Sequence, residues 1–170
     1  MGDDMRQRSA SPTEAPLVRH DVSLLSADDL YLFNEGSHFR LYEKLGAHSM
    51  IVDGASGTYF AVWAPAARQV AVLGDFNGWN RTSHALRPRG SSGIWEGFIG
   101  GLGKGAVYKY NVVAGSGAYT GEKADPFAVH HETPPRTASI VWDLEYAWGD
   151  GAWMEARQGK QGLVAPVSIY

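Results

Sequence analysis

The sequence predicts an all-β fold: an antiparallel β-sandwich with a short helical N-terminal segment. Three observations carry that prediction. Several short apolar stretches in the second half of the chain have the length and residue types of strands. Turn-forming clusters of Gly, Asn, Asp and Pro separate them, in a chain of 170 residues with 21 Gly and 8 Pro. No stretch carries the sustained 3.6-residue periodicity of a long amphipathic helix.

The elements follow in order. Residues 1–20 read as a flexible leader, where Ser9, Ser11, Pro12 and Pro16 sit among charges without hydrophobic periodicity. Residues 21–52 read as the short helical segment. In it, Ser26 followed three residues later by Asp29 has the form of a capping box, and Asn34 and Gly36 end the helix early. A second short turn spans Leu41-Tyr42-Glu43-Lys44-Leu45 and stops at Gly46. Residues 53–145 read as the sandwich. Gly54-Ala55-Ser56-Gly57 is a turn, and the strand at 58–63 ends at Ala64-Pro65, because proline has no N–H for a ladder. A strand at 69–73 runs into Gly74-Asp75-Phe76-Asn77-Gly78-Trp79, where Asn77 and Gly78 both tolerate positive φ. Further strands fall at 94–99, 106–113, 119–122 and 139–142. Residues 146–170 read as a linker followed by the opening of a new apolar strand, Pro166-Val167-Ser168-Ile169-Tyr170, with nothing to pair against; residue 170 therefore reads as an artificial boundary.

Composition narrows the function classes. Hydrophobic residues make up 44% and charged residues 19%, which suits a packed core. A net charge of −3 gives no electrostatic reason to expect nucleic acid or an anionic membrane. No stretch approaches the ~18 apolar residues of a membrane span, and no signal-peptide pattern opens the chain. With no cysteine, disulfides, thiolate metal sites and cysteine nucleophiles are excluded, and a cytoplasmic home fits. His130-His131-Glu132 is a poor metal site, since neighbours on an extended chain point apart. Gly100-Gly101-Leu102-Gly103-Lys104-Gly105 reads as a hairpin turn, not a phosphate loop, lacking Ser or Thr after the Lys. There is no Gly-x-Ser-x-Gly elbow, and no pair of acids stands out for glycoside chemistry. The expectation is a monomer with no catalytic residues, no metal and no cofactor.

Strand alternation sorts the stretch at 106–113. Ala106, Tyr108, Tyr110 and Val112 face the core, while Lys109 and Asn111 face outward with donors suited to sugar hydroxyls. A solvated sheet face has the same pattern. Trp79, on the turn, either stacks on a pyranose ring or closes the sandwich end as packing. Tyr119 is either a second platform or an ordinary strand aromatic, and Trp63, Trp95 and Trp142 read as core.

Taken together, these segments resemble the N-terminal part of bacterial glycogen (1,4-α-glucan) branching enzymes. Asp29-Leu30-Tyr31-Leu32-Phe33-Asn34-Glu35-Gly36 and Leu41-Tyr42-Glu43-Lys44-Leu45-Gly46-Ala47-His48 are the most specific motifs. Phe60-Ala61-Val62-Trp63-Ala64-Pro65, Gly74-Asp75-Phe76-Asn77-Gly78-Trp79, Gly93-Ile94-Trp95-Glu96 and Tyr108-Lys109-Tyr110 are similar to carbohydrate-binding modules of family 48, an immunoglobulin-like sandwich. Lys123-Ala124-Asp125-Pro126-Phe127-Ala128 and Arg136-Thr137-Ala138-Ser139 continue the likeness, which covers about residues 24–170. The resemblance implies a parent enzyme of glycoside hydrolase family 13 that cleaves an α-1,4 bond in a (β/α)8 barrel and rejoins the chain at a 6-hydroxyl. Its Asp nucleophile and Glu acid/base would lie beyond residue 170. It implies α-glucan (glycogen) and the barrel as partners. The starch-binding members of that module family use a Trp at the position matching Trp79 and a Lys at the one matching Lys109. Its second aromatic falls nearest Tyr119, where this chain has a longer loop and no Trp. The resemblance also leaves open a purely structural domain packed on the barrel, or the front of a related glycogen or trehalose-pathway hydrolase.

Overall fold

Strands form at Val18–Arg19 (β1), Gly46–Val52 (β2), Ala55–Trp63 (β3), Ala67–Gly74 (β4), Arg87–Pro88 (β5), Ile94–Gly100 (β6), Val107–Ala114 (β7), Thr120–Lys123 (β8) and Ser139–Ile140 (β9). They come from a computed structural model that describes residues 17–117, 119–160 and 162. One sheet has the order β1-β6-β3-β2, with β5 also on β6; the other runs β4-β7-β8, with β9 also on β7. Every named pairing is antiparallel. The all-β sandwich expected from the sequence is therefore present.

Two boundaries move. The sandwich begins at Gly46, inside the stretch expected to be helical, because β2 and β3 form a hairpin pairing Val52 with Ala55. Its two-residue loop is Asp53-Gly54, with φ of 51° and 80°. Such a loop matches the right-handed twist of the strands it joins. Ala55, Ser56 and Gly57 are thus strand residues rather than a turn. The expected leader also ends earlier, since Val18 and Arg19 pair with Ile99 and Phe98; residues 1–16 lie outside the described residues.

β3 and β6 are apolar on both faces because both faces are covered. Phe60, Val62, Trp95 and Ile99 point between the sheets and pack with Val70, Val72, Tyr108 and Tyr110. Tyr59, Ala61, Ile94 and Phe98 point the other way and are covered by Val22, Leu25 and Leu45, which precede β2. The helix α1, Ala27–Glu35, belongs to this covering layer. Ser26 Oγ accepts from the Asp29 N–H at 3.1 Å, and the Asp29 carboxylate accepts from the Ser26 N–H at 2.8 Å. Gly36 closes the helix in the left-handed region, at φ 81°. Trp63, expected in the core, is instead 55% exposed at the end of β3, with Phe33 of the helix edge-on at 6.1 Å.

Two buried carboxylates in these layers are tied to tyrosine hydroxyls. Glu96 is fully buried under the N-terminal segment. Its Oε2 accepts from the Tyr59 and Ser23 hydroxyls, each at 2.7 Å. Arg89 Nε lies 3.6 Å from Oε1, and its guanidinium also donates to the Leu25 carbonyl at 3.1 Å. Burial, reinforced by the carboxylate, pushes the Tyr59 hydroxyl far above its ordinary range. In the other sheet, Asp125 Oδ2 accepts from the Tyr108 and Tyr110 hydroxyls at 2.7 and 3.1 Å. Burial pushes the Asp125 carboxyl up, against the pull of these hydrogen bonds.

The linker expected after residue 145 contains a helix, α2, Gly151–Lys160. Ala152, Met154, Glu155, Ala156 and Arg157 are good helix formers, and the basic residues Arg157 and Lys160 suit its C-terminal end. The expected strand at 167–170 lies outside the described residues. No helix among the described residues is long and apolar enough to cross a membrane.

Two outcomes test this layer. Glu96→Ala leaves Arg89, Tyr59 and Ser23 facing an empty site, and urea unfolding should show a loss of about 3 kcal/mol or more, against ~1 kcal/mol for Tyr59→Phe. Burial raises the Asp29 carboxyl, but hydrogen bonds from Ser26, His38 and Lys44 outweigh it and hold the group well below the usual carboxylate range. Its stabilising contribution is therefore complete above about pH 4 and is lost as pH falls further. Acid unfolding of Asp29→Asn should show a shallower loss between about pH 4 and 2 than wild type.

Candidate functional site

The chain leaves β4 at Gly74, makes a 3-10 turn over Asp75–Asn77 and returns along β4's free edge. The two consecutive positive-φ residues are Gly78 and Trp79, each at φ 60°, one position later than the expected Asn77-Gly78. Asn77 is a clamp instead. Its Oδ1 accepts from the Gly74 N–H at 3.0 Å, and its Nδ2 donates to the Val72 carbonyl at 3.1 Å. The returning chain is fixed by Val72 N–H to His84 O at 2.9 Å and Leu86 N–H to Val70 O at 2.8 Å. It then passes into β5 on the other sheet. A left-handed tryptophan costs of order 1–2 kcal/mol and persists only where its surroundings over-determine it. Here they do: the Trp79 N–H donates to Gly74 O at 2.9 Å, and the indole Nε1 donates to Asp75 Oδ1 at 2.8 Å. The ring is held in one orientation while 36% exposed.

The outward face of the second sheet lies beside this loop. Tyr108 and Tyr110 face the core, as expected from alternation. Lys109 faces outward, half-buried, and its Nζ donates to Thr137 Oγ1 at 2.9 Å. Asn111 was expected on an open outward face and is corrected: it is only 3% exposed. The segment after Trp79 crosses over it, and Asn111 Nδ2 donates to the Arg81 carbonyl at 3.2 Å. Asn111 stands opposite Glu122, and Val113 opposite Thr120. Directly opposed residues share a face, so Glu122 and Thr120 join Asn111. Arg81 Nε donates to Glu122 Oε1 at 2.9 Å. Arg81, Asn111, Thr120, Gly121 and Glu122 line a hollow of about 220 Å³.

Tyr119 does not join them. A Cβ placed on Gly121 would fall 2.1 Å from the Tyr119 Oη, so the ring lies over Gly121. Gly121 opposes Val112 and Lys123 opposes Tyr110, both on the core-facing side of β7. Tyr119 is therefore on the opposite face of the sheet from Asn111, 47% exposed at its edge, with the Lys123 ammonium 5.4 Å from the ring centre. Sequence reasoning missed Asp75, Thr137, Arg81 and Glu122. Alternation along β8 would have found Glu122; Arg81 reaches this face only through the course of the loop.

A larger groove of about 380 Å³ is lined by Tyr42, His48, Phe127, Val129, Trp142 and Leu144 among others. Trp142, expected in the core, is 39% exposed, tilted against His130 at 4.7 Å with Lys104 Nζ 4.4 Å from its ring centre. The buried carboxylates Glu96 and Asp125 are each fastened to tyrosine hydroxyls in the interior. Among the described residues, no group of three or more His, Cys, Asp and Glu is placed to hold a metal.

Residues 44–128 match carbohydrate-binding module 48, described as the isoamylase N-terminal domain. The 1,4-alpha-glucan branching enzyme GlgB of Synechococcus sp. (strain JA-2-3B'a(2-13)) is 52% identical over 160 residues, covering 94% of this chain and 21% of that protein. GlgB of Paramagnetospirillum magneticum is 51% identical over 166 residues, covering 90% and 22%. The chain therefore spans about a fifth of the length of these relatives. Among solved structures, apo pullulanase from Klebsiella pneumoniae superposes with a TM-score of 0.46 at 29% identity, over 61% of this chain and 11% of that one.

The clamp at Asn77 is testable on its own. Asn77→Ala orphans a strand-end N–H and a carbonyl, and chemical unfolding should show a loss of about 1–3 kcal/mol. Asn77→Asp keeps the acceptor and loses the donor, so it should fall between the alanine variant and wild type.

Proposed function

This chain belongs to the carbohydrate-binding module 48 family, and from that premise we propose that it is the N-terminal module of a 1,4-α-glucan branching enzyme. The full-length enzyme would cleave an α-1,4 bond and pass the chain to a 6-hydroxyl, making the α-1,6 branches of glycogen. The module would hold α-glucan and set its position relative to the catalytic barrel. It would act in the cytoplasm as part of a monomer.

One observation supports glucan contact above the rest. Trp79 is presented part-exposed, in a left-handed conformation, with its indole N–H tied to Asp75. A ring whose N–H is already satisfied and whose orientation is fixed loses little entropy on stacking against the apolar face of a pyranose. Lys109, already bonded to Thr137, stands on the adjoining sheet face as a donor for sugar hydroxyls. Charge is not needed to hold a neutral polyol.

A second reading, that the module mainly packs against the barrel, is favoured by a different observation. Leu144, Tyr146, Trp148 and Trp153 follow the sandwich as a run of exposed apolar side chains, each more than half exposed. Surface of that kind is usually covered by a partner surface.

Electrophoresis of the chain in glycogen-containing native gels separates the two. Under the first reading the chain is retarded, and Trp79→Ala migrates as in a glycogen-free gel, since losing a stacking aromatic weakens binding by ~10-fold or more. Normal migration of the wild type would leave packing as the module's role. Equal retardation of wild type and Trp79→Ala would remove Trp79 from the contact. The chain alone should show no branching activity.

A further inference from the structure

We propose that Asn77-Gly78 is a conditional modification site: a peptide that loses ammonia by cyclisation when the loop between β4 and β5 opens, and that the Asn77 clamp otherwise holds inert. The proposal does not depend on the glucan-binding reading above.

The sequence supplies the reactive pair. The chain has four asparagines, Asn34, Asn77, Asn80 and Asn111, and only Asn77 is followed by glycine. The main-chain nitrogen after an asparagine, once its proton has gone to hydroxide, can attack the side-chain carboxamide carbon. A nitrogen–carbon bond forms, the bond to Nδ2 breaks, and Nδ2 takes a proton from water and leaves as ammonia. Water then opens the cyclic imide at either carbonyl. The product is aspartate, or isoaspartate, in which the main chain runs through the former side chain. No co-reactant beyond water is consumed. Glycine presents the most accessible nitrogen, because no Cβ stands beside it.

Geometry, rather than exclusion of solvent, blocks this step in the folded chain. Asn77 is half-buried and Gly78 is exposed, so water and hydroxide reach the bond. The reacting groups are each held by other partners. The Gly78 N–H donates to the Asp75 carbonyl at 3.2 Å, within the 3-10 turn. The Asn77 carboxamide is fixed at both ends. Its Oδ1 accepts from the Gly74 N–H at 3.0 Å. Its Nδ2 donates to the Val72 carbonyl and to Ser83 Oγ, each at 3.1 Å, with His84 Nδ1 at 2.9 Å. Cyclisation needs the carboxamide carbon to swing onto the Gly78 nitrogen, and each of these bonds resists that swing. The rate in the folded chain is then the open-loop rate scaled by the fraction of time the loop is open. Conversion is one-way. A carboxylate has no N–H to give the Val72 carbonyl, and isoaspartate lengthens the main chain of a tight turn. The modified loop therefore loses the clamp that precedes Trp79.

The test is peptide mapping by mass spectrometry after ageing the chain at mildly alkaline pH, native and in urea. In urea, Asn77 should lose ammonia faster than Asn34, Asn80 and Asn111. Native chain should lose it at Asn77 roughly 10- to 100-fold more slowly than unfolded chain. Equal rates at Asn77 in the two states would overturn the gating. A rate at Asn77 in urea no greater than at Asn80 would overturn the site. Ser83 is exposed, and Ser83→Ala removes one Nδ2 partner while keeping a melting temperature close to wild type. It should speed native ammonia loss at Asn77 roughly two- to tenfold, and hydrogen exchange of the Gly74 amide, whose acceptor is Asn77 Oδ1, should rise with it. An unchanged rate of ammonia loss in Ser83→Ala would remove the clamp as the gate and overturn the proposal.

Discussion

β3 and β6 are buried on both faces, and the rest of the architecture accommodates that constraint. One face makes the sandwich core with the second sheet; the other must be covered or it exposes Tyr59, Ile94 and Phe98 to water. The segment before β2 does the covering, and Glu96 fixes where it lies. That carboxylate is joined to Ser23 of the covering segment, to Tyr59 of β3 and to Arg89. Arg89 in turn reaches the Leu25 carbonyl. A charge so enclosed is tolerable only with every partner in place, so the layer docks in one arrangement. The helical N-terminal segment is therefore the third layer of the domain rather than an appendage.

The same reasoning explains why the candidate site is on the second sheet. With the first sheet covered, only the second has an outward face to offer. Part of even that face is closed by the loop from Gly74 to Leu86, which buries Ala71, Leu73 and Asn111. The loop is clipped to β4 at several points, and those clips let a tryptophan hold a left-handed backbone. A rigid loop on a rigid sheet is the arrangement expected of a surface that presents one ring in one orientation. Tyr119 stands on the other side of the β8 edge strand from Asn111, and a polar hollow lined by Arg81, Asn111, Thr120 and Glu122 lies on the outward face.

Much of the fold was legible because its signals are local. The capping box at Ser26 and Asp29, the stop at Gly36 and the core-facing pair Tyr108 and Tyr110 follow from spacing alone. The β2 strand was missed although Asp53-Gly54 is a strong hairpin signal. Its residues alternate weakly, with Ser49 and Ile51 exposed and Met50 and Val52 half-buried, and the preceding helix pattern dominated. Trp63 and Trp142 were misjudged because hydrophobic type predicts burial only on average. Trp63 ends β3 on the face turned to the N-terminal layer, and Trp142 lies two residues beyond β9.

For the site, residue type and strand period were enough to single out Trp79 and Lys109, since a turn tryptophan and an outward lysine are visible in one dimension. Whether Asn111 was open or roofed was not visible there, nor which face Tyr119 would take. Both depend on where a loop 30 residues away crosses the sheet and on the register between β7 and β8. The sequence by itself determined the fold class, the strand alternation and the family, because propensity, period and motif act between near neighbours. Only the tertiary structure decided that Asn111 is covered, that Arg81 and Glu122 meet beside it, and that Tyr119 stands apart, because those placements come from contacts between segments distant in the chain.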